Sequence, residues 1–216
     1  VSKHIINLAV PMIVAQLINV LYNVVDRIYI GRIPGEATLA MGGLGLCLPL
    51  ISIINAFANL FGMGGAPLCS IARGRGDNEE AEKIMGNSFM LLIIFSVVLM
   101  VVGFIFKEDL LWLFGASANT IGYANDYMTI YLLGTLFVLI GLGMNSFINS
   151  QGFAKIGMLT VLLGAVTNII LDPIFIFGFD LGVQGAAIAT VISQFVSALW
   201  TLQFLTSKKT ILKIKR

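Results

Sequence analysis

Long apolar runs, separated by short polar or glycine-rich breaks, follow one another along the whole chain. They cover approximately residues 5–31, 37–65, 84–106, 122–149, 158–178 and 185–205. Each run is long enough to cross the apolar core of a bilayer as a helix, which takes about 20 residues. Alternation of apolar and polar positions, which is typical of strands, never extends beyond a few residues. The pattern predicts an all-α integral membrane protein with six transmembrane helices.

Composition narrows the class of protein further. Hydrophobic residues make up 58% of the 216 residues and charged residues 11%, whereas a soluble domain carries about 25% charged residues. The mean hydropathy is +0.96. These values exclude an ordinary cytosolic enzyme, a disordered chain and a nucleic-acid binder with a broad basic face. Five more apolar runs follow the first one, so we interpret it as a transmembrane helix and not as a cleaved signal.

Basic residues concentrate on one side of the predicted bundle. Loops that stay in the cytoplasm retain Lys and Arg during insertion, so both ends of this segment are predicted to be cytoplasmic, in a cytoplasmic membrane. The basic residues on the predicted inner side are Lys3, Arg73, Arg75, Lys83, Lys155, Lys208, Lys209, Lys213, Lys215 and Arg216. The remaining basic residues are Arg32 and Lys107 on the other side and Arg27 inside the first span.

Two charged segments are predicted to connect spans. Residues 107–114, KEDLLWLF, combine charge with Trp and Phe, which favours a short amphipathic segment lying on the outer surface. The acidic run at residues 77–82 predicts a solvated helix start before the third span.

Cys47 and Cys69 fall on one predicted helix, about 33 Å apart at 1.5 Å per residue, so we expect two unpaired thiols.

Polar side chains recur at helical spacing inside five of the spans. In lipid such side chains must face protein or a water-filled cavity, so we expect a shared polar interior. Interhelical hydrogen bonding explains most of the amides and hydroxyls. The residues are Gln16, Asn19, Asn23 and Asp26 in the first span, Ser52, Asn55 and Asn59 in the second, Asn145 and Asn149 in the fourth, Gly164, Asn168 and Asp172 in the fifth, and Thr190, Gln194 or Ser193, Ser197 and Thr201 in the sixth.

Asp26 and Asp172 are the exceptional members of this set. A carboxylate inside the membrane costs a few kcal/mol, roughly, and usually serves a function. Counted from the span ends, Asp26, Asp172 and Thr190 all lie about 8 Å below the outer boundary, and Asn168 is one turn deeper. Two carboxylates, an amide and a hydroxyl at one level could bind a proton or a small hard cation such as Na⁺. The residues alone do not choose between the two ions.

Pro173 directly follows Asp172 in the fifth predicted span. Proline removes one backbone donor and frees the carbonyl of Ile169, so Pro173 is a candidate hinge beside Asp172, with static packing as the alternative. Arg27 points about 100° away from Asp26 around a helix of 3.6 residues per turn. We therefore interpret Arg27 as an interface residue and not as the fixed partner of the acid.

With these residues in view, the chain resembles the N-terminal lobe of the multidrug and toxic compound extrusion (MATE) family of secondary transporters, especially its DinF-like branch. The matching stretches are LAVPMIVAQLINVLYNVVDRIYIG, IARGRGD, INSQGFAK, NIILDPIFIFG and GVQGAAIATVISQ. In that branch an Asp on helix one, an Asn and Asp four apart on helix five, and a Thr on helix six form the cation-coupling site. The resemblance places these roles on Asp26, Asn168, Asp172 and Thr190.

The resemblance also implies an architecture. Family members have two six-helix lobes facing each other across a substrate cavity, and residues 1–216 correspond to one lobe, with the second lobe absent from this chain. The expected partners are membrane lipid, small organic substrates and that second lobe, with no nucleic acid. Further polar side chains expected to support the coupling site are Asn19, Asn23, Asn55 and Gln194.

The function implied is a cation-coupled antiporter, driven by H⁺ or Na⁺, that exports organic and often cationic compounds. Besides the coupling ion, no cofactor and no metal ion is expected, and the protein is not expected to be an enzyme. The nearest alternative is a lipid-linked precursor flippase of similar build, which would need a cationic cavity to hold diphosphates. Weaker alternatives are an intramembrane aspartyl protease, which also needs two membrane carboxylates, and a membrane subunit that does not transport.

Overall fold

A computed structural model describes residues 2–214, with side chains described from residue 5 onward. This part of the chain is helical, without β-strands. The elements are α1 (Ser2–Ile30), α2 (Ala37–Gly74), α3 (Asn78–Leu113), α4 (Ile121–Leu133), α5 (Thr135–Ser150), α6 (Ala154–Pro173), a turn of π-helix (Ile174–Gly178) and α7 (Gly182–Thr206).

Within the described residues, five segments are long and apolar enough to cross a membrane alone: α1, α2, α3, α6 with its π turn, and α7. Helices α4 and α5 form a sixth candidate together, although they meet at an angle of 59°. The bend lies at Gly134, where an added Cβ would come within 2.6 Å of the Val191 side chain on α7. A glycine at the bend thus lets α7 approach closely. The predicted all-α membrane fold is confirmed.

The turn between α2 and α3 is much shorter than the sequence suggested. Only residues 75–77 separate the two helices, because the apolar period continues past residue 65 and Cys69 is buried. Gly76 has a φ of +83°, a conformation that glycine adopts without strain. Asp77 then caps α3 by accepting a hydrogen bond from the Glu80 backbone N–H at 2.9 Å. The acidic run therefore does begin a helix.

Helix α3 is longer than predicted at its other end. The expectation of a separate amphipathic segment at residues 107–114 is wrong, since α3 runs without a break to Leu113. No helix-breaking residue occurs in this stretch, and Leu111 is fully buried against the rest of the bundle. Glu108 and Asp109 are exposed, whereas Lys107, one turn before Leu111, is half-buried and donates a hydrogen bond to Thr129 Oγ1 on α4.

Small residues set the close helix contacts. A Cβ added at Gly62 on α2 would lie 2.6 Å from the carbonyl oxygen of Gly143 on α5, so these two backbones touch directly, as is common in membrane helices. Helix α1 behaves differently, because it packs mainly against α6 and makes few contacts with α2 or α7. A cleft therefore remains between α1 and α2.

The segment after α7 is fixed across the end of the lobe where the α5–α6 turn lies. The side-chain oxygen of Gln151 accepts hydrogen bonds from Thr210 Oγ1 at 2.8 Å, Ile211 N at 3.1 Å and Leu212 N at 2.9 Å. The Lys213 N–H donates to Glu82 Oε1 at 3.2 Å. We call residues 210–213 the inner strap. Lys215 and Arg216, and the side chain of Lys3, which the charge count placed on this side, lie outside the described residues.

Candidate functional site

Helices α6 and α7 bring three of the four predicted coupling residues together. Asn168 Nδ2 donates to Asp172 Oδ1 at 3.2 Å and to Thr190 Oγ1 at 3.4 Å. The Thr190 hydroxyl donates in turn to the Ala186 carbonyl at 2.9 Å. Asn168 and Asp172 are fully buried, and Thr190 is 8% exposed. A single amide thus links the carboxylate of one helix to the hydroxyl of the next.

Two glycines allow close approach on either side of this hydrogen bond, Gly164 between α6 and α7 and Gly185 between α7 and the π turn. A Cβ at Gly185 would lie 2.7 Å from the Phe175 carbonyl carbon, and a Cβ at Gly164 would lie 2.5 Å from Ser197 Oγ. Neither position accommodates a larger side chain without a shift. The helix spacing that lets Asn168 reach Thr190 therefore depends on glycine at both points.

Asp26 reaches the same site from α1, the helix that packs along α6. Asp26 is 9% exposed, and its carboxyl group neighbours that of Asp172. Asp26 Oδ1, Asn168 Oδ1 and Asp172 Oδ2 are buried and have no hydrogen-bond partner among the described residues. All three atoms are acceptors. Chemically, such a cluster suits a proton or a cation with oxygen ligands.

The π turn begins directly after Pro173. Because Pro173 has no N–H to donate to the Ile169 carbonyl, the regular α-helical ladder is interrupted one residue beyond Asp172. Phe179 N then donates to Ile174 O at 2.9 Å, the wide spacing of a π-helix, and Leu181 N donates to Phe175 O at 3.2 Å. π-helical turns often accompany functional sites. The prediction that Pro173 is a hinge stays a prediction.

A cavity of about 200 Å³ opens beside the carboxylates, between α1 and α2. Asp26 and Thr190 line it, while Asn168 and Asp172 lie behind them. The four residues predicted to support the site all line this cavity, namely Asn19, Asn23, Asn55 and Gln194. On α1, Asn23 Nδ2 donates to the Asn19 carbonyl at 2.6 Å. We call this space the outer cavity, after the end of the lobe that the charge pattern predicts to be external.

Three polar residues predicted to face the interior lie outside the outer cavity. Gln16, Ser52 and Asn59 are exposed and do not line the outer cavity. The helical spacing places them near the cavity-facing residues, but they fall on the edge of the polar face because neighbouring helices cover only part of α1 and α2. Arg27 is exposed and lines the cavity rim, and no salt bridge joins it to Asp26 within the described residues.

Sequence reasoning missed three tyrosines that line the outer cavity. Tyr22 lies one turn before Asp26 on α1, and Tyr127 and Tyr131 follow each other on one face of α4 with rings 6.0 Å apart. Tyr127 and Tyr131 are almost fully buried. Aromatic residues in a span usually signal packing or an interface position, so only the spacing of four between Tyr127 and Tyr131 could have suggested them.

Other kinds of site find little support in the described part of the chain. No group of three or more His, Cys, Asp or Glu could hold a metal ion there. A Gly-x-Gly-Asp string, a signature of one class of intramembrane aspartyl protease, occurs at residues 74–77. It forms the exposed α2–α3 turn, where Asp77 serves as the cap of α3. The buried carboxylates Asp26 and Asp172 lie outside that string.

Comparison with known proteins gives a consistent result. A family model described as MatE matches residues 11–174. The multidrug export protein MepA of Staphylococcus saprophyticus is 31% identical over 212 residues, which are 98% of this chain and 47% of that protein. MepA of Staphylococcus aureus strain MRSA252 is 28% identical over 99% of this chain and 47% of its own length. The chain spans about half the length of the curated relatives it matches.

Solved structures agree over the same extent. A crystal structure of MATE in the bent conformation covers 99% of this chain and 47% of its own, with a TM-score of 0.91 and 29% identity. A MOP superfamily transporter from Pyrococcus furiosus Vc1, whose binding pocket of reverse polarity suggests a different function, gives the same coverage and TM-score with 30% identity. Since the family model matches well over half of its residues, this chain belongs to the MATE family of transporters.

Proposed function

We propose that this lobe contains the cation-coupling site of an antiporter that exports organic, often cationic compounds across a cytoplasmic membrane. The observation that carries the proposal is the convergence of Asp26, Asn168, Asp172 and Thr190, with three buried acceptor oxygens that have no partner among the described residues. The relatives named multidrug export protein support the substrate class. The second lobe of the transporter would supply the other wall of the substrate cavity.

The coupling ion is H⁺ or Na⁺. A proton on either carboxylate turns an acceptor into a donor, so the Asp26 and Asp172 groups can share one hydrogen bond in place of repelling each other. A Na⁺ ion would instead take the oxygens of the carboxylates, the Asn168 amide and the Thr190 hydroxyl as ligands, in the manner of other hard cations. Either ion lowers the negative charge of the site by one.

This charge change acts at the contact between α1 and α6. Asp26 and Asp172 are carried by these two helices, and α1 has few contacts with α2 that would resist its movement. The π turn after Pro173 gives α6 an irregular end where its direction can change. Ion binding favours whichever arrangement of α1 binds the ion more tightly, and substrate release follows from that shift.

The electrostatics of the outer cavity support export of organic compounds more than lipid flipping. Of its lining residues only Arg27 is basic, and Asp26 lies beside it. A cavity for a lipid-linked diphosphate would need several cations. We also propose that both ends of the segment face the cytoplasm, because the basic residues concentrate at that end.

The test uses the full-length transporter with Asp172→Asn and Asp26→Asn, each of which keeps the side-chain size and removes the charge. We expect both variants to reach the membrane at normal levels and to lose ion-driven drug export and drug resistance. Asp109→Asn is the matched control, because Asp109 is exposed near the end of α3. Export that persists at the control level in both variants refutes the coupling site.

Two assays distinguish the flippase alternative. Accumulation of a fluorescent cationic drug is measured in the same cells, and movement of a labelled lipid-linked precursor is measured in proteoliposomes that contain the purified transporter. Drug export without precursor movement supports the proposal. Precursor movement without drug export would instead assign the lobe to a flippase.

A further inference from the structure

A second cavity adjoins the outer cavity on the side away from the predicted external face. It has a volume of about 100 Å³ and shares four lining residues with the outer cavity, so the two spaces are neighbours. We call it the inner cavity. The shared residues are Asn19, Tyr22, Leu142 and Gln194. Asn19 and Gln194 thus stand at the boundary between the two cavities with amide groups available to both.

The wall of the inner cavity continues the polar face that carries the carboxylate of α6. Thr160 and Gly164 line it, and they precede Asn168 and Asp172 at intervals of four residues, so all four share one side of the helix. On α7, Ser197 Oγ donates to the Thr160 carbonyl at 3.1 Å. From Thr160 to Asp172 the polar face extends about 18 Å along the helix axis.

No charged residue lines the inner cavity. Its polar groups are hydroxyls and amides from α1, α5, α6 and α7. A neutral polar cavity of this volume has room for several water molecules, each of which needs two or more polar partners. One candidate partner is Asn145 Oδ1, which is buried without a hydrogen bond among the described residues. Such a lining can hydrate a passing cation without trapping it, because it offers dipoles and no counter-charge.

Two asparagines of α5 lie against Gly157 at the lower end, Asn145 in the wall of the inner cavity and Asn149 one turn beyond it. Asn145 Nδ2 donates to the Gly157 carbonyl at 3.3 Å, and Asn149 presses so closely on Gly157 that a Cβ there would lie 2.1 Å from Asn149 Oδ1. Asn149 Oδ1 is also buried and unpaired among the described residues. From Asn145, about 8 Å of helix, which includes Asn149, leads to the end of α5. The barrier to that side of the lobe is therefore thin and polar.

We infer that the inner cavity is a water-lined route by which the coupling cation leaves the carboxylates toward the α5–α6 end of the lobe, with Asn149 as its inner gate. This inference rests on the proposed function. It adds a path and a gate to the coupling site, and it assigns a role to the polar residues of α5 and α7 that the site itself does not use. The ligand class is a hydrated monovalent cation or a proton carried by water.

The experiment measures access to Ser193, which lines the inner cavity and is 3% exposed. Ser193→Cys is introduced into the full-length transporter, in a background in which every native cysteine, including Cys47 and Cys69, is replaced by alanine. Ag⁺, a monovalent ion, is applied to either side of oriented membrane vesicles. It binds the sulfur with release of the thiol proton, and the blocked fraction is read by later maleimide labelling of the denatured protein.

We expect Ag⁺ to reach the thiol from the side of the α5–α6 turn. Gly164→Val, which pushes a side chain toward Ser197, should slow the reaction tenfold or more. Asn149→Ala should accelerate it by removing the gate. Gly86→Val is the matched control and should leave the rate unchanged, because an added Cβ at Gly86 meets nothing within 4 Å.

The inference is overturned if Gly164→Val reacts as fast as the Gly86→Val control, or if Ag⁺ reaches the thiol only from the opposite side. If Gly164→Val does not assemble in the membrane, Asn145→Leu replaces it, since leucine keeps the side-chain size and removes the amide. The readout needs no drug transport. Failure of Ag⁺ to reach the thiol of Ser193→Cys from the side of the α5–α6 turn therefore refutes the route alone, and export surviving Asp172→Asn and Asp26→Asn refutes the coupling site alone.

Discussion

The attachment of the inner strap to Gln151 can be tested by the change Gln151→Leu. Leucine is close in size to glutamine but cannot accept a hydrogen bond. The substitution removes the acceptor shared by Thr210 Oγ1, Ile211 N and Leu212 N. Because Gln151 is 3% exposed, water has little access to replace its side-chain oxygen. We expect the strap to detach from the α5–α6 turn more often.

The size of the effect follows from the three donors. The Thr210 hydroxyl has a second acceptor in the Leu212 carbonyl at 2.9 Å, and Ile211 is 48% exposed, so its N–H can turn to water. The Leu212 N–H has neither a second acceptor nor access to water, because Leu212 is fully buried. Leaving one buried donor unpaired costs about 1–3 kcal/mol. At about 1.4 kcal/mol per factor of ten, opening of the strap should become about 5- to 140-fold more frequent.

Amide hydrogen exchange on the full-length protein in nanodiscs measures this opening. We expect the protection of the Leu212 amide to fall by that factor in Gln151→Leu, with little change in the middle of α2. Gln203→Leu is the matched control, since Gln203 is exposed on α7. If Leu212 keeps its protection in Gln151→Leu, the hydrogen bonds to Gln151 do not hold the strap and the reasoning is refuted.

Two further predictions concern helix contacts and caps. Gly62→Ala should lower the stability of the folded lobe by about 1–3 kcal/mol, because the new Cβ meets the Gly143 backbone at 2.6 Å. Gly64→Ala is the control and should not lower it, since nothing lies within 4 Å of a Cβ there. Equal midpoints of thermal unfolding in detergent for the two variants would show that the contact is unimportant. Asp77→Ala should cost about 0.5–2 kcal/mol by removing the acceptor of the Glu80 N–H. Faster hydrogen exchange confined to the first turn of α3 is the expected sign, and unchanged exchange there would contradict it.

The sequence predicted the membrane fold because apolar runs of this length are typical of transmembrane helices. It also identified the residues of the candidate site, since an acid such as Asp26 or Asp172 inside a span is costly and therefore conspicuous. Helix ends were less predictable. Hydropathy marks the thickness of a bilayer, whereas α2 and α3 continue beyond that thickness to Gly74 and Leu113. The three amino acids between α2 and α3 could not be recognised as a turn from apolarity alone.

Contacts between distant parts of the chain were not predictable either. Gln151 lies 59–61 positions from its partners in the strap, and nothing in its neighbourhood distinguishes it from other glutamines. The π turn depends on Pro173, which was recognised, but also on the approach of Gly185 to the Phe175 carbonyl, which was not. The cavity tyrosines resembled ordinary packing residues, because only the fold brings Tyr22 of α1 and the two tyrosines of α4 to one cavity.

The π turn has a consequence for how this chain aligns with its relatives. A π-helical turn holds one residue more than the α-helix would use, so deleting a single residue between positions 174 and 177 should restore regular geometry. The following segment would then rotate by about 100° about the axis, and the Phe175 carbonyl would no longer face Leu181 and Gly185. A relative with a gap at this point is expected to hold its counterpart of Thr190 in a different place, and to differ in ion selectivity.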